Sequence, residues 1–151
     1  MYPRVIVNLE HIRNNVRVVR DICSRKGVDI VGVTKVFSGV PEIAQCYVDG
    51  GLTMTGDSRV ENLKKQTGIR SEKWLIRPPM LCEIEDLVKY GDASLNSEIE
   101  VIRAISDEVL KQHAEKAAVC RAADENSKQH AEKAAVCQAA DENSKQHADE
   151  V

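Results

Sequence analysis

Aromatic residues make up only 3% of the 151 residues: three tyrosines, one tryptophan and one phenylalanine. A core this poor in rings has to be packed from aliphatic side chains. Long apolar runs are also missing. No stretch approaches the roughly 18 residues of a membrane span, and Met1-Tyr2-Pro3-Arg4 lacks the apolar start of a signal peptide, so a cytoplasmic location is expected and a membrane partner is not. The five cysteines (Cys23, Cys46, Cys82, Cys120 and Cys137) are odd in number and include no C-x-x-C pair, which fits reduced thiols better than disulfides or a zinc site. There is no basic excess either. With 21 Lys and Arg against 24 Asp and Glu, the net charge of −3 argues against a nucleic-acid partner. What remains, 42% hydrophobic and 30% charged, is ordinary globular usage at a length suited to one domain.

The scarce residues are unevenly placed. Every glycine, proline and aromatic lies at or before Gly91, so the remainder has neither chain breakers nor rings. That remainder holds a repeat: Lys111 to Ser127 reads KQHAEKAAVCRAADENS, Lys128 to Ser144 repeats it with Gln138 in place of Arg121, and KQHA starts again at Lys145. A 17-residue shift rotates a helical face by roughly 100°, so repeated residues do not form one stripe, and no heptad seam emerges. Ala, Glu, Lys and Gln favour helix, and an exposed helical tail over 111–151 is expected, following a domain over 1–110. His113, His130 and His147 are 17 apart rather than at i, i+4, so no metal site is expected.

Residues 1–110 alternate apolar runs with segments of helical period. The runs are RVIVN near position 4, DIVGVTKV near 29, LTMTG near 52, KWLIR near 73 and ASLNS near 93. This order predicts an α/β fold of five βα units around a parallel sheet. Leu9, Ile12, Val16, Val19 and Cys23 share one helical face, which places Cys23 in the core, and Cys46 is expected to be buried beside Ile43 and Tyr47. Ser58 with Glu61 and Ser97 with Glu100 read as capping boxes for the third and fifth helices. Gly27, Gly50 or Gly51, Gly68 and Gly91 stand where left-handed helix ends fall, and Pro41 and Pro79 suit first turns.

In such units the chemistry belongs at the carboxyl ends of the strands. Those ends read Asn8, Thr34-Lys35-Val36, Gly56-Asp57-Ser58, Arg77-Pro78-Pro79 and Asn96-Ser97. Lys35 is the unusual one, a lone cation among Val31, Val33, Val36 and Phe37. Held away from water, its amine would be free to attack a carbonyl and form a Schiff base; the alternative is a stem lying on apolar surface with a solvated ammonium. Arg77 suits a planar anion or is simply surface. Asp57 and Asn96 are placed to line the mouth, and Ser58 is explained first by its cap.

These residues also resemble a known family. Val31-Gly-Val-Thr-Lys35-Val36, Gly56-Asp57-Ser58-Arg59 with Glu61-Asn62-Leu63, Leu75-Ile76-Arg77 with Met80, and Ser94-Leu95-Asn96-Ser97-Glu98 are similar to the amino-terminal barrel of the alanine racemase group, ornithine racemase-like members above all. The resemblance covers about residues 2–109. It implies a partial (β/α)8 barrel, pyridoxal 5'-phosphate as cofactor, Lys35 as the Schiff-base lysine, and Arg77, Asn96 and Ser58 as further cofactor-binding candidates. It implies racemisation of a small amino acid, with Lys35 moving a proton on one face of Cα. A closed barrel takes about 250 residues, so only its first part is expected here. The alternatives are a pyridoxal-phosphate binding protein without turnover and an inactive, self-associating fragment, a homo-oligomer whose open strand edges cover one another.

Overall fold

A computed structural model describes residues 3–115 of the chain. Met1–Glu108 form one compact unit, and Val109 opens a second, whose described residues, 109–115, are helical. The rest of the repeat, with the expected helical tail, lies outside the described residues.

Helix α1 spans Leu9–Ser24 and begins where the Asn8 side chain accepts the His11 N–H at 3.0 Å, satisfying one of the donors that a helix start leaves unpaired. Its C-cap is Arg25, and two residues further on the chain turns at Gly27, whose φ of +66° an L side chain seldom adopts. Strand β1 (Val31–Val33) leads through a 3-10 turn, Lys35–Phe37, into α2 (Pro41–Asp49), with Pro41 in its first turn and Gly51 left-handed just beyond its end. Strand β2 (Met54–Asp57), α3 (Val60–Lys65), β3 (Glu72–Leu75), a 3-10 turn at Leu81–Glu83, α4 (Ile84–Tyr90) and β4 (Ala93–Ser94) follow. Residues 99–115 form α5. The sheet order is β1-β2-β3-β4, parallel throughout, with Val33 beside Gly56 and Leu75 beside both Asp57 and Ser94.

Alternation along the strands gives the sheet two unlike faces. Gly32, Thr55, Lys73 and Leu75 point towards the helices and are buried. Leu75 packs with Val60, Leu63 and Leu87, and Ile105 closes that cluster. The opposite face carries Val31, Val33, Met54, Trp74, Ile76 and Leu95, none of them fully buried. Cys46 is buried as expected, its thiol donating to the Glu42 carbonyl.

Several expectations are corrected. The described sheet has four strands rather than five: the RVIVN run forms none, and Val5 and Ile6 are 91% and 80% exposed. A strand needs a neighbour for its backbone groups, and no described residue supplies one. The apolar face of α1 is not core; no residue of the helix is buried, and Cys23 is only partly covered. Ser58 does not cap α3: the helix starts one residue later, with Arg59 at the N-cap and no side-chain cap bond, and the Arg59 N–H is held by the Asp57 carboxylate at 3.0 Å. In α5 the first helical bond runs from Ile102 N–H to the Glu98 carbonyl, one residue past the Ser97 box. Gly91 is extended rather than left-handed, Gly68 is likewise absent from the positive-φ glycines, and Pro79 precedes the 3-10 turn instead of opening a helix.

Candidate active site

The parallel register brings the expected strand-end residues to one edge of the sheet, and a buried polar network organises that edge. Asp57, at the end of β2, has no exposed surface. One carboxylate oxygen accepts the Thr34 hydroxyl at 2.7 Å; the other accepts the Arg59 N–H and the Asn62 side-chain amide, each at 3.0 Å. Thr34, fully buried, accepts from the Gln66 amide at 3.0 Å, and its N–H donates to the Gly56 carbonyl at 2.8 Å. Gln66 also donates to the Asn62 carbonyl, while its own side-chain oxygen is buried without a partner. A carboxylate held this far from water is tolerable because every acceptor direction in use meets a donor.

This network fixes the residue just before Lys35. Thr34 further accepts from the Phe37 and Gly39 N–H groups, closing the turn in which Lys35 sits. From the other side Tyr47 donates its hydroxyl to the Val33 carbonyl and packs edge-on against Phe37, with ring centroids 5.7 Å apart. Burial pushes the Tyr47 phenol above its ordinary pKa, so it stays a donor. The Lys35 carbonyl accepts the Ser38 N–H at 3.1 Å, while its side chain is exposed and makes no hydrogen bond or ion pair among the described residues. The apolar pocket anticipated around it is not formed by them, since Val36 is 85% exposed and Val33 is 37% exposed.

Arg77 is not an open anion hook. Its guanidinium is matched to Glu83 by two bonds of 2.9 and 2.7 Å, and its Nε donates to the Ser58 carbonyl at 2.6 Å. The pairing raises the Arg77 pKa and holds the Glu83 carboxyl below its ordinary value, helped by the Met80 N–H. With Nη1 also donating to the Pro78 carbonyl, most of the fork is in use. The Ser58 side chain is partly exposed beside this pair, and Asn96 is exposed and donates to the Ser94 carbonyl and hydroxyl. Among the described residues no cluster of His, Cys, Asp and Glu is arranged to hold a metal, and no helix is long and apolar enough to cross a membrane.

Thr34, Asn62 and Gln66 were missed by sequence reasoning, which gave Asp57 only a place at the mouth. A signal was present. Asp57 two residues before the Arg59 N–H is the local pattern of an Asx-turn.

No protein-family model matches the chain. It is 34% identical over 106 residues to the ornithine racemase of Acetoanaerobium sticklandii, a match covering 70% of this chain and 30% of that protein. It is 37% identical over 109 residues to the lysine racemase of Thermotoga maritima, covering 71% and 31%. The solved structure of alanine racemase from E. faecalis matches with a TM-score of 0.54 at 20% identity, over 66% of this chain and 28% of that one, which speaks to the fold. The chain therefore spans about 30% of the length of the curated relatives it matches. Over that matched segment, the chain is a homologue of the ornithine and lysine racemases and shares the fold of alanine racemase.

Proposed function

We propose that this chain carries the lysine-bearing portion of a pyridoxal-phosphate-dependent amino-acid racemase site, with Lys35 as the covalent anchor. The observation that carries this reading is the placement of Lys35: an unpaired, accessible amine at the carboxyl end of β1, in a turn clamped through Thr34 to the buried Asp57. A free amine of this kind suits the cofactor's aldehyde. The Ser58 hydroxyl and the Asn96 carboxamide, at neighbouring strand ends, would provide polar contacts, whereas Arg77 is committed to Glu83 and does not suit the phosphate. Bound there, the cofactor would supply the electron sink that acidifies the substrate Cα–H. Lys35 Nζ would take or return the Cα proton on one face, and Thr34 and Tyr47 would hold its turn in position. Substrates with a basic side chain, such as ornithine and lysine, are the first to try, after the relatives' activities.

A second reading, cofactor binding without turnover, is favoured by the occupied Arg77 fork and by the fraction of the relatives that the chain spans. Mixing the purified chain with pyridoxal phosphate is expected to produce a visible absorbance band that is lost in Lys35→Ala. A chain that yields no band refutes both readings. If the band forms, incubation with single enantiomers of ornithine, lysine and alanine separates them: loss of optical purity supports the racemase, and unchanged purity the binding protein.

A further inference from the structure

The turn that carries Lys35 is tied down on both sides, and both ties lead to the same pair of side chains, Asp57 and Asn62. On the near side Thr34 donates its hydroxyl to the Asp57 carboxylate. On the far side the chain passes through two left-handed residues in succession, Ser38 at φ +54° and ψ +35° and Gly39 at φ +65°. Glycine adopts that conformation freely, whereas the Cβ of a serine crowds the following carbonyl oxygen. A residue with a side chain stays left-handed only where its surroundings impose it, and such positions gather at functional sites.

The contacts that impose it here come from α3. Lys65, at the end of that helix, donates from Nζ to the Ser38 carbonyl at 2.9 Å and to the Asn62 side-chain oxygen at 3.0 Å. The buried Asn62 turns its amide nitrogen to Asp57 at 3.0 Å, so one side chain joins the ammonium to the carboxylate. The two charges fix this orientation: a flipped amide would set its oxygen against the carboxylate and its N–H groups against the ammonium. Gly39 lies directly on Asn62, where a Cβ at position 39 would fall 2.7 Å from the Asn62 Cβ. The Ser38 N–H in turn donates to the Lys35 carbonyl at 3.1 Å, which passes the conformation of Ser38 to the backbone of Lys35. Of the two lysines at this edge, Lys65 has its ammonium engaged by two oxygens, and Lys35 presents the free amine.

We infer that Lys65 is a positioning residue for Lys35. Its ammonium holds Ser38 left-handed against α3, and the held turn sets the direction in which the Lys35 amine leaves the strand end. Lys65 acts through the turn rather than on the cofactor. The inference rests on the reading of Lys35 as the covalent anchor.

Two measurements test it, the first without cofactor. In the unloaded chain, Lys65→Met is expected to speed amide exchange at residues 37–39 by about threefold, the effect of one exposed charged bond, with β2 and β3 unchanged. Lys65→Arg keeps a cation within reach of Ser38 and restores most of the protection. Ser38→Gly/Lys65→Met, which has no side chain to crowd the left-handed backbone, recovers part of it. In the chain saturated with pyridoxal phosphate, circular dichroism of the visible band reports how firmly the bound ring is oriented. At equal absorbance it is expected to fall about twofold in Lys65→Met and to return in Lys65→Arg.

Unchanged exchange at 37–39 in Lys65→Met overturns the inference, and faster exchange throughout the unit does so too, because it marks a merely structural role. Visible dichroism equal to that of the unaltered chain, no recovery in Lys65→Arg or no recovery in the double variant has the same force, and each leaves Lys35 as the anchor. An unaltered chain that gives no visible band removes the anchor reading itself, and this inference with it.

Discussion

The two faces of the sheet are built from the same strands, yet they invert the usual distribution of residues. The helix-facing side buries Thr55, Asp57 and Lys73 along with Leu75. The opposite side leaves Val33, Trp74, Ile76 and Leu95 at least partly in contact with solvent. Polar groups can be buried because each has found partners: Lys73 donates to the Ile69 and Ser71 carbonyls, Thr55 bonds Ser71, and Asp57 has three donors. Apolar groups stay exposed for a different reason: no described element lies over them. Burial in this chain follows from which side the helices cover rather than from side-chain polarity alone.

The sharpest way to break this comparison is at Asp57. Asp57→Ala leaves the Thr34 hydroxyl, the Asn62 amide and the Arg59 N–H without their acceptor and is expected to cost about 4 kcal/mol in denaturant unfolding, with Asp57→Asn intermediate. A loss below about 1 kcal/mol would mean that the network does not hold this edge. Next comes the apolar contrast. Leu75→Ala, in the core beside Leu63 and Leu87, is expected to cost about 3 kcal/mol, whereas Ile76→Ala on the open face costs under about 1 kcal/mol when the chain is dilute. Equal penalties at the two positions would erase the distinction between the faces.

The smallest effect concerns the Arg77 and Glu83 pair, and it carries a pH signature. Because the folded-state pKa of Glu83 is lowered, its contribution is complete above the ordinary carboxylate value of about 4.3 and is lost as pH falls through the lowered one. Glu83→Gln should cost about 1.5 kcal/mol at neutral pH and flatten that part of the acid-unfolding profile. An unchanged profile would show that the pair does not contribute.

Much of the fold could be read from the residues, for reasons that are local. The short apolar runs at β1 to β4, the proline opening α2 and the left-handed glycines after α1 and α2 all act through neighbouring backbone geometry. The failures share a cause as well. RVIVN has the composition of a strand but no strand beside it, and the apolar stripe of α1 has the right period but little to pack against. Ser58 has the right spacing for a cap, yet α3 starts one residue later with Arg59 at the N-cap, so the serine stands one position too early. For the candidate site, the position of Lys35 at a strand end was legible. That Arg77 is taken by Glu83, six residues on, was not, because a guanidinium just past a strand end shows no sign of where the chain will turn back.

The sequence by itself determined the alternation of strands and helices, the parallel order and the lysine at the end of β1, since these depend on periodicity and on backbone preferences a few residues wide. Tertiary structure alone decided that Asp57 would be buried and satisfied, that Arg77 would be occupied and that one face of the sheet would stand open. Those outcomes depend on which distant groups come within hydrogen-bonding or packing distance, and no local pattern encodes that.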